Sequence, residues 1–193
     1  MDFLIALGRA AGLSLGAGLN LYATLLALGL AVRFDLIMVP PEYTPLGSDW
    51  ALAAIVLLYL IEFLADKIPW LDSVWDMVHT LVRPLGGALL AVAALGPSPA
   101  WADALIAVLG AAIAGTSHFT KAATRVAANS TLLPGPGLVL SLAEDLIALA
   151  LVALVIFVPL LALAVTLVLV VLFVKLLISI RQRFGRKRAM GRA

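Results

Sequence analysis

Between residues 10 and 180 the chain is a succession of apolar runs, at about 10 to 34, 50 to 65, 84 to 96, 101 to 117, 137 to 158 and 160 to 180. None alternates with the two-residue period of a half-buried strand. In lipid, backbone polar groups are satisfied only within helices or closed barrels, so every run reads as a helix. Of 193 residues 64% are hydrophobic and 12% charged, where a soluble protein carries roughly a quarter charged. The expected fold is all-α: a polytopic helical membrane protein with about six short or broken transmembrane helices. One transmembrane domain is expected over 1–180 and a basic cytoplasmic tail over 181–193. Without cysteine the chain has no disulfide, thiolate nucleophile or cysteine-held metal.

The tail holds Arg181, Arg183, Arg186, Lys187, Arg188 and Arg192, six of the thirteen basic residues, leaving seven against eleven acidic residues in the body. A basic segment beside a last apolar run marks the cytoplasmic side and meets anionic headgroups of the lipid bilayer. No interleaved aromatic or motif supports nucleic-acid binding. The N-terminus lacks the basic n-region of a cleaved signal and reads as retained. Alternating backwards from the tail over six crossings puts both termini and the loops near 66–83 and 118–136 inside. Asp35, Glu42, Asp49 and Asp103 then lie outside with Arg33.

Charge interrupts the apolar pattern mainly in two windows, 62–83 and 118–145. The runs beside the first are short: residues 84–96 reach about 20 Å, against a hydrocarbon core of about 30 Å. Either the bilayer thins locally or the polar segments are re-entrant, and charged backbone at depth needs surrounding protein or a water-filled cavity. Trp50 precedes Pro84 by 34 residues and Trp101 precedes Pro136 by 35, which suggests an internal repeat of helix, polar segment, helix over about 50–96 and 101–158. Transporters often place a substrate site between such repeats.

Each window carries a helical stripe. Asp72, Asp76, His79 and Arg83 share one face, with Leu71, Val74, Trp75, Val78 and Val82 on the other and Pro69 suited to the first turn. His118, Lys121, Arg125 and Asn129 form the second stripe. Facing one another, they would pair Asp76 with Arg125 and Asp72 with Lys121. The plainer alternative is an interfacial acidic helix anchored by Trp70 and Trp75, and a second helix whose Lys121 and Arg125 are positive-inside anchors.

Glu62 and Asp66 close an apolar helix at i and i+4. Glu62 reads as a proton or cation binder, or as an intramembrane partner of Lys67 or Arg83. Asp66 can serve the turn and Lys67 neutralise both. Ser141 and Glu144 fit a capping box at a helix start after Pro134-Gly135-Pro136-Gly137, which gives Glu144 a structural role and leaves Asp145 open. Gly12 and Gly16 have the spacing that permits close helix contact. Asn20 reads as the cap of a helix break or a reach into the polar site. The echo of Gly12-Leu13-Ser14-Leu15 in Gly137-Leu138-Val139-Leu140 sets Asn20 opposite Asp145. Asp72, Asp76 and His79 are stereochemically able to bind a metal. No cofactor motif is present, and Walker, GxSxG and HExxH signatures are absent.

Gly12 to Gly16 with Asn20-Leu21-Tyr22, Glu62, Asp66 to Asp72, Trp75-Asp76, Arg83-Pro84, His118, Lys121, Arg125, Ser141 and Glu144-Asp145 together resemble the bacterial membrane proteins grouped as domain of unknown function 4126. The resemblance covers roughly residues 5–160 and is most specific from Asp66 to Asp76. It implies a polytopic protein of a bacterial inner membrane and no established activity.

Three classes of function fit. One is a small transporter or channel for an ion or small anionic solute, lipid-linked phosphate included, with Lys67, Arg83, Lys121 and Arg125 as phosphate ligands. The second is a membrane-embedded enzyme using Asp72, Asp76 and His79, and the third a structural or assembly subunit. Six short helices enclose little volume, so a homo-oligomer is expected.

Overall fold

A computed structural model describes residues 1–37, 39–65, 68–129 and 136–190, the side chains of 42, 69, 72, 73, 126–129, 136–138 and 183–190 excepted. The elements are α1 (Asp2–Leu19), α2 (Leu21–Arg33), α3 (Asp49–Ala65), α4 (Pro69–Leu95), α5 (Ala100–Asn129), α6 (Pro136–Phe157) and α7 (Pro159–Met190). A 3-10 turn, Pro41–Gly47, joins α2 to α3. Among the described residues there is no strand. Asp2–Leu19, Val74–Leu95, Ala100–Arg125, Val139–Phe157 and Pro159–Gln182 are long and apolar enough to cross a membrane. The fold is all-α and polytopic, as the apolar runs require.

The first run departs from the sequence expectation. Asn20 is extended (φ −146°, ψ 104°), which ends α1, and its Oδ1 accepts from Ala23 N at 2.9 Å, which starts α2. The chain then folds back. A Cβ on Gly16 would sit 2.8 Å from Thr24 Oγ1, whereas eight residues of straight helix would separate the two by about 12 Å. Val39, Pro40 and Pro41 share a cavity wall with Asp2, Ile5 and Arg9, so α2 returns toward the face from which α1 started. Residues 10–34 therefore form a helical hairpin with its tip at Asn20, in place of one continuous helix.

That hairpin moves the N-terminus. Gly8 packs against the Pro159 carbonyl, which puts the start of α7 at the same face as Asp2. With 32 residues, α7 runs about 48 Å to the other face. Asp2 and the far end of α7 thus stand at opposite ends of the helix bundle. The segment from Arg181 continues α7 to Met190.

Pro69 does open α4, at its first turn, but Pro84 does not bound a helix: α4 continues through it for 27 residues, about 40 Å. Neighbouring groups make such a proline tolerable in a membrane helix. The acidic window and the short run 84–96 are thus one long helix, and residues 101–129 are likewise one helix, α5. The described residues of both polar windows lie in or next to long helices.

α1 runs through the middle of the bundle, with Leu13, Leu15, Ala17 and Leu19 almost wholly buried. Small residues let it approach its neighbours. Gly12 faces Val155 and Ala162, and Gly18 faces Ser117 and the Ala114 carbonyl. Ser14 Oγ donates to the carbonyls of Ala10 (2.7 Å) and Gly87 (3.0 Å), tying α1 to α4. The hairpin tip is thereby held among α4, α5 and α6.

Candidate functional site

Glu62, three residues from the end of α3, meets Arg83 of α4, and both side chains are 0% exposed. Arg83 Nη2 donates to Glu62 Oε1 at 2.5 Å. Arg83 Nη1 donates to His118 Nδ1 at 2.9 Å and to the Gly18 carbonyl at 3.4 Å, and lies 3.6 Å from Asp76 Oδ1. A guanidinium has no acceptor, so His118 Nδ1 accepts and the ring proton is on Nε2. His118 Nε2 then donates to Thr80 Oγ1 at 3.2 Å, and Thr80 Oγ1 donates to the Asp76 carbonyl at 2.9 Å. This chain of donors makes His118 neutral, in a single tautomer.

His79, about one turn before Arg83 on the same stripe, is fixed in the opposite way. Its Nδ1 donates to the Trp75 carbonyl at 2.8 Å, which leaves Nε2 to accept from the Tyr22 hydroxyl at 3.2 Å. Tyr22 also meets the His79 ring edge-on. The α2 half of the hairpin is latched to α4 by this pair.

Below Arg83, Lys121 of α5 donates from Nζ to the Leu19 carbonyl at 3.1 Å and lies 3.6 Å from Glu62 Oε1 and 3.4 Å from Glu144 Oε2. Arg125 Nη2 donates to Glu144 Oε2 at 2.7 Å. Asn20 Nδ2 donates to Asp145 Oδ1 at 2.7 Å, its Oδ1 being committed to the α2 cap. Lys121, Arg125, Glu144 and Asp145 are all buried.

The broken helix explains why cations gather here. The last turn of α1 leaves carbonyls without intrahelical donors and carries partial negative charge. Gly18 and Leu19 supply two of these carbonyls, to Arg83 and Lys121 respectively. The C-terminal end of α1 is thus occupied by two of the protein's own cations. Buried charges of this kind persist only when paired and hydrogen-bonded, since several kcal/mol per ion is lost on leaving water.

Of the residues singled out in the sequence, Asn20, Glu62, Asp76, His79, Arg83, His118, Lys121, Arg125 and Asp145 converge on the hairpin tip. Asp66 and Lys67 lie outside the described residues, as do the side chains of Asp72 and Asn129 and the loop 130–135. Glu62 and Arg83 form the intramembrane pair that was one of the two readings of Glu62. The proposed Asp76–Arg125 pair does not form: Asp76 faces Arg83 on its own helix, and Arg125 is held by Glu144. His118, Lys121 and Arg125 of the second stripe are buried. For the metal triad, both nitrogens of His79 have protein partners and Asp76 faces a guanidinium. Among the described residues no cluster of three or more His, Asp or Glu is placed to hold a metal.

Glu144 was misread as a cap. Helix α6 starts at Pro136, so Ser141 and Glu144 stand more than a turn inside it. Arg9 was not among the site residues read from the sequence: it lines a cavity of about 530 Å³ on the N-terminal face, and its buried Nε has no hydrogen-bond partner. An isolated arginine in an apolar run was the available signal.

A family model described as domain of unknown function (DUF4126) matches residues 7–179. Neither a curated protein nor a solved structure matches the chain.

Proposed function

The chain belongs to the family described as domain of unknown function (DUF4126), and we propose that it is a small membrane transporter moving an ion or small anionic solute past the hairpin tip. The observation that carries this reading is the fully buried Glu62–Arg83 pair set against the open carbonyl end of a broken helix. Charge at such depth is costly, and a fold needing only stability would fill the space with apolar side chains at no loss. Helix breaks at mid-membrane are the parts from which transport sites are built. Arg83 stands twelve residues, about 18 Å, before the end of α4, well within a hydrocarbon core of about 30 Å.

Reconstituted vesicles test it. Wild-type protein should carry a flux of anion or proton that Glu62→Gln and Arg83→Gln abolish, while detergent-purified variants keep the wild-type elution profile and helical signal. Flux unchanged in folded Glu62→Gln protein would remove Glu62 from the path and the proposal with it.

A further inference from the structure

Two cations meet a single carboxylate oxygen at the hairpin tip. Glu62 Oε1 accepts from Arg83 Nη2 at 2.5 Å and lies 3.6 Å from Lys121 Nζ, whereas Glu62 Oε2, in the same 0% exposed side chain, has no hydrogen-bond partner. A guanidinium from α4 and an ammonium from α5 are the donors that a small oxyanion takes. Glu62 stands in their reach as an internal anion, held by one oxygen and poorly satisfied at the other. Resting on the transport reading above, we propose that the ligand is a small singly charged oxyanion and that it enters together with a proton that neutralises Glu62.

The charges balance. A proton from bulk water adds to Glu62, most simply at the unpartnered Oε2, and the incoming anion replaces the lost negative charge beside Arg83 and Lys121. No other bond forms or breaks. The site has the same net charge empty and loaded, so the membrane potential does no work on the exchange.

The surroundings of Glu62 favour it as the proton acceptor. From α4 it is faced by Arg83 and, more distantly, Asp76 and His79; from α5 by Lys121 and His118; from α6 by Glu144 across Lys121; from α2 by Tyr22. His118 Nδ1 is occupied by Arg83, and His79 by Trp75 and Tyr22. Glu144 Oε2 is held by Arg125 at 2.7 Å. Among the described residues, the carboxylate of Glu62 alone both holds these two cations and keeps an unpartnered buried oxygen. Asp76 has an unpartnered oxygen too, but it touches Arg83 only at 3.6 Å and stands 14% exposed.

Titration calorimetry of the full chain in detergent, in two buffers of different ionisation enthalpy, counts protons taken up with each anion. Acetate carries the chemistry of a free solute and dimethyl phosphate that of a lipid phosphodiester, so the probe that binds identifies the source. Wild-type affinity should fall about tenfold per unit rise in pH, with a proton taken up per anion bound. Glu62→Gln should bind the same probe with no pH slope and no proton uptake. Lys121→Met, which leaves Glu62 in place, should weaken binding about tenfold or more while keeping the slope, and it serves where Glu62→Gln fails to fold. Binding without proton uptake in wild-type protein, proton uptake retained in Glu62→Gln, or no binding of either probe overturns the proposal. Flux in vesicles is a separate readout: flux without proton uptake overturns the coupling alone, and coupled binding without flux overturns transport alone.

Discussion

Arg125 and Glu144 show what a buried pair contributes at the scale of one residue. Each carries charge out of water, and removing either one takes from the other its nearest counter-charge in a site of low dielectric. Arg125→Met and Glu144→Leu should each lower stability by about 3–5 kcal/mol, and the double variant should regain most of that loss. Thermal melts in detergent of the four proteins check it; strictly additive losses would show that the pair is not coupled. Lys121, 3.4 Å from Glu144, is the neighbour that keeps the recovery from being complete. At this scale the sequence was informative about membership and poor about partners. Helical spacing put Asp76, His79 and Arg83 on one face, which the structure confirms, because spacing depends only on the local helix. It could not say that Arg125 faces α6 rather than α4, because that depends on how three helices pack. Glu144 was obscured by a genuine local signal: Ser141 three residues before it has capping-box spacing, but Pro136 starts the helix first.

Among the elements, the α1–α2 hairpin has the greatest leverage, because its tip touches every helix that carries a charge of the site except α3. Its geometry depends on the absence of a side chain at Gly18, where a Cβ would overlap Ser117 Oγ and the Ala114 carbonyl. Gly18→Val should force α1 and α5 apart and cost about 1–3 kcal/mol by overpacking. It should also lengthen the reach of Arg83 and Lys121 to the carbonyls of Gly18 and Leu19, so flux should fall further than the melting temperature suggests. Measuring both on the same preparation separates the two effects; a fall in melting temperature with flux intact would show that the carbonyl contacts are dispensable. Asn20 has two roles at this tip, as cap and as donor to Asp145. Asn20→Ala removes both and should cost about 2 kcal/mol, the sum of a lost cap and of one hydrogen bond to a buried carboxylate. The break itself was legible, since an asparagine after a glycine-rich stretch is a plausible cap. Its angle was not. A single extended residue can kink a helix or reverse it, and apolar composition is the same in both cases. Pro84 misled in the opposite direction, because a proline reads as a boundary where the surrounding bundle lets the helix continue.

For the molecule as a whole, the parity of crossings decides where the chain ends lie. Trp50 and Trp101, both exposed, stand at the starts of α3 and α5 on the face that holds Asp2, and exposed Trp70 stands at the start of α4 on the other. Exposed tryptophan at both levels fits the two interfaces of a bilayer, with the exposed leucines and valines of α7 in the lipid between them. Composition announced this class of fold at once, because no soluble protein can keep so much apolar surface outside. The parity needed the hairpin, which composition does not encode. It is open to direct measurement, since the chain has no cysteine and so offers a clean background for single replacements. Asp2→Cys and Ser48→Cys lie on one face and Gln182→Cys on the other, all at exposed positions. In sealed, uniformly oriented vesicles a membrane-impermeant maleimide added outside should label either the first two or the third, never all three. The basic segment from Arg181 should hold Gln182 on the cytoplasmic side, which places Asp2 outside. Labelling of Asp2→Cys and Gln182→Cys from the same side would mean that residues 10–34 cross the membrane once, and the hairpin tip would no longer be available to build the charged site.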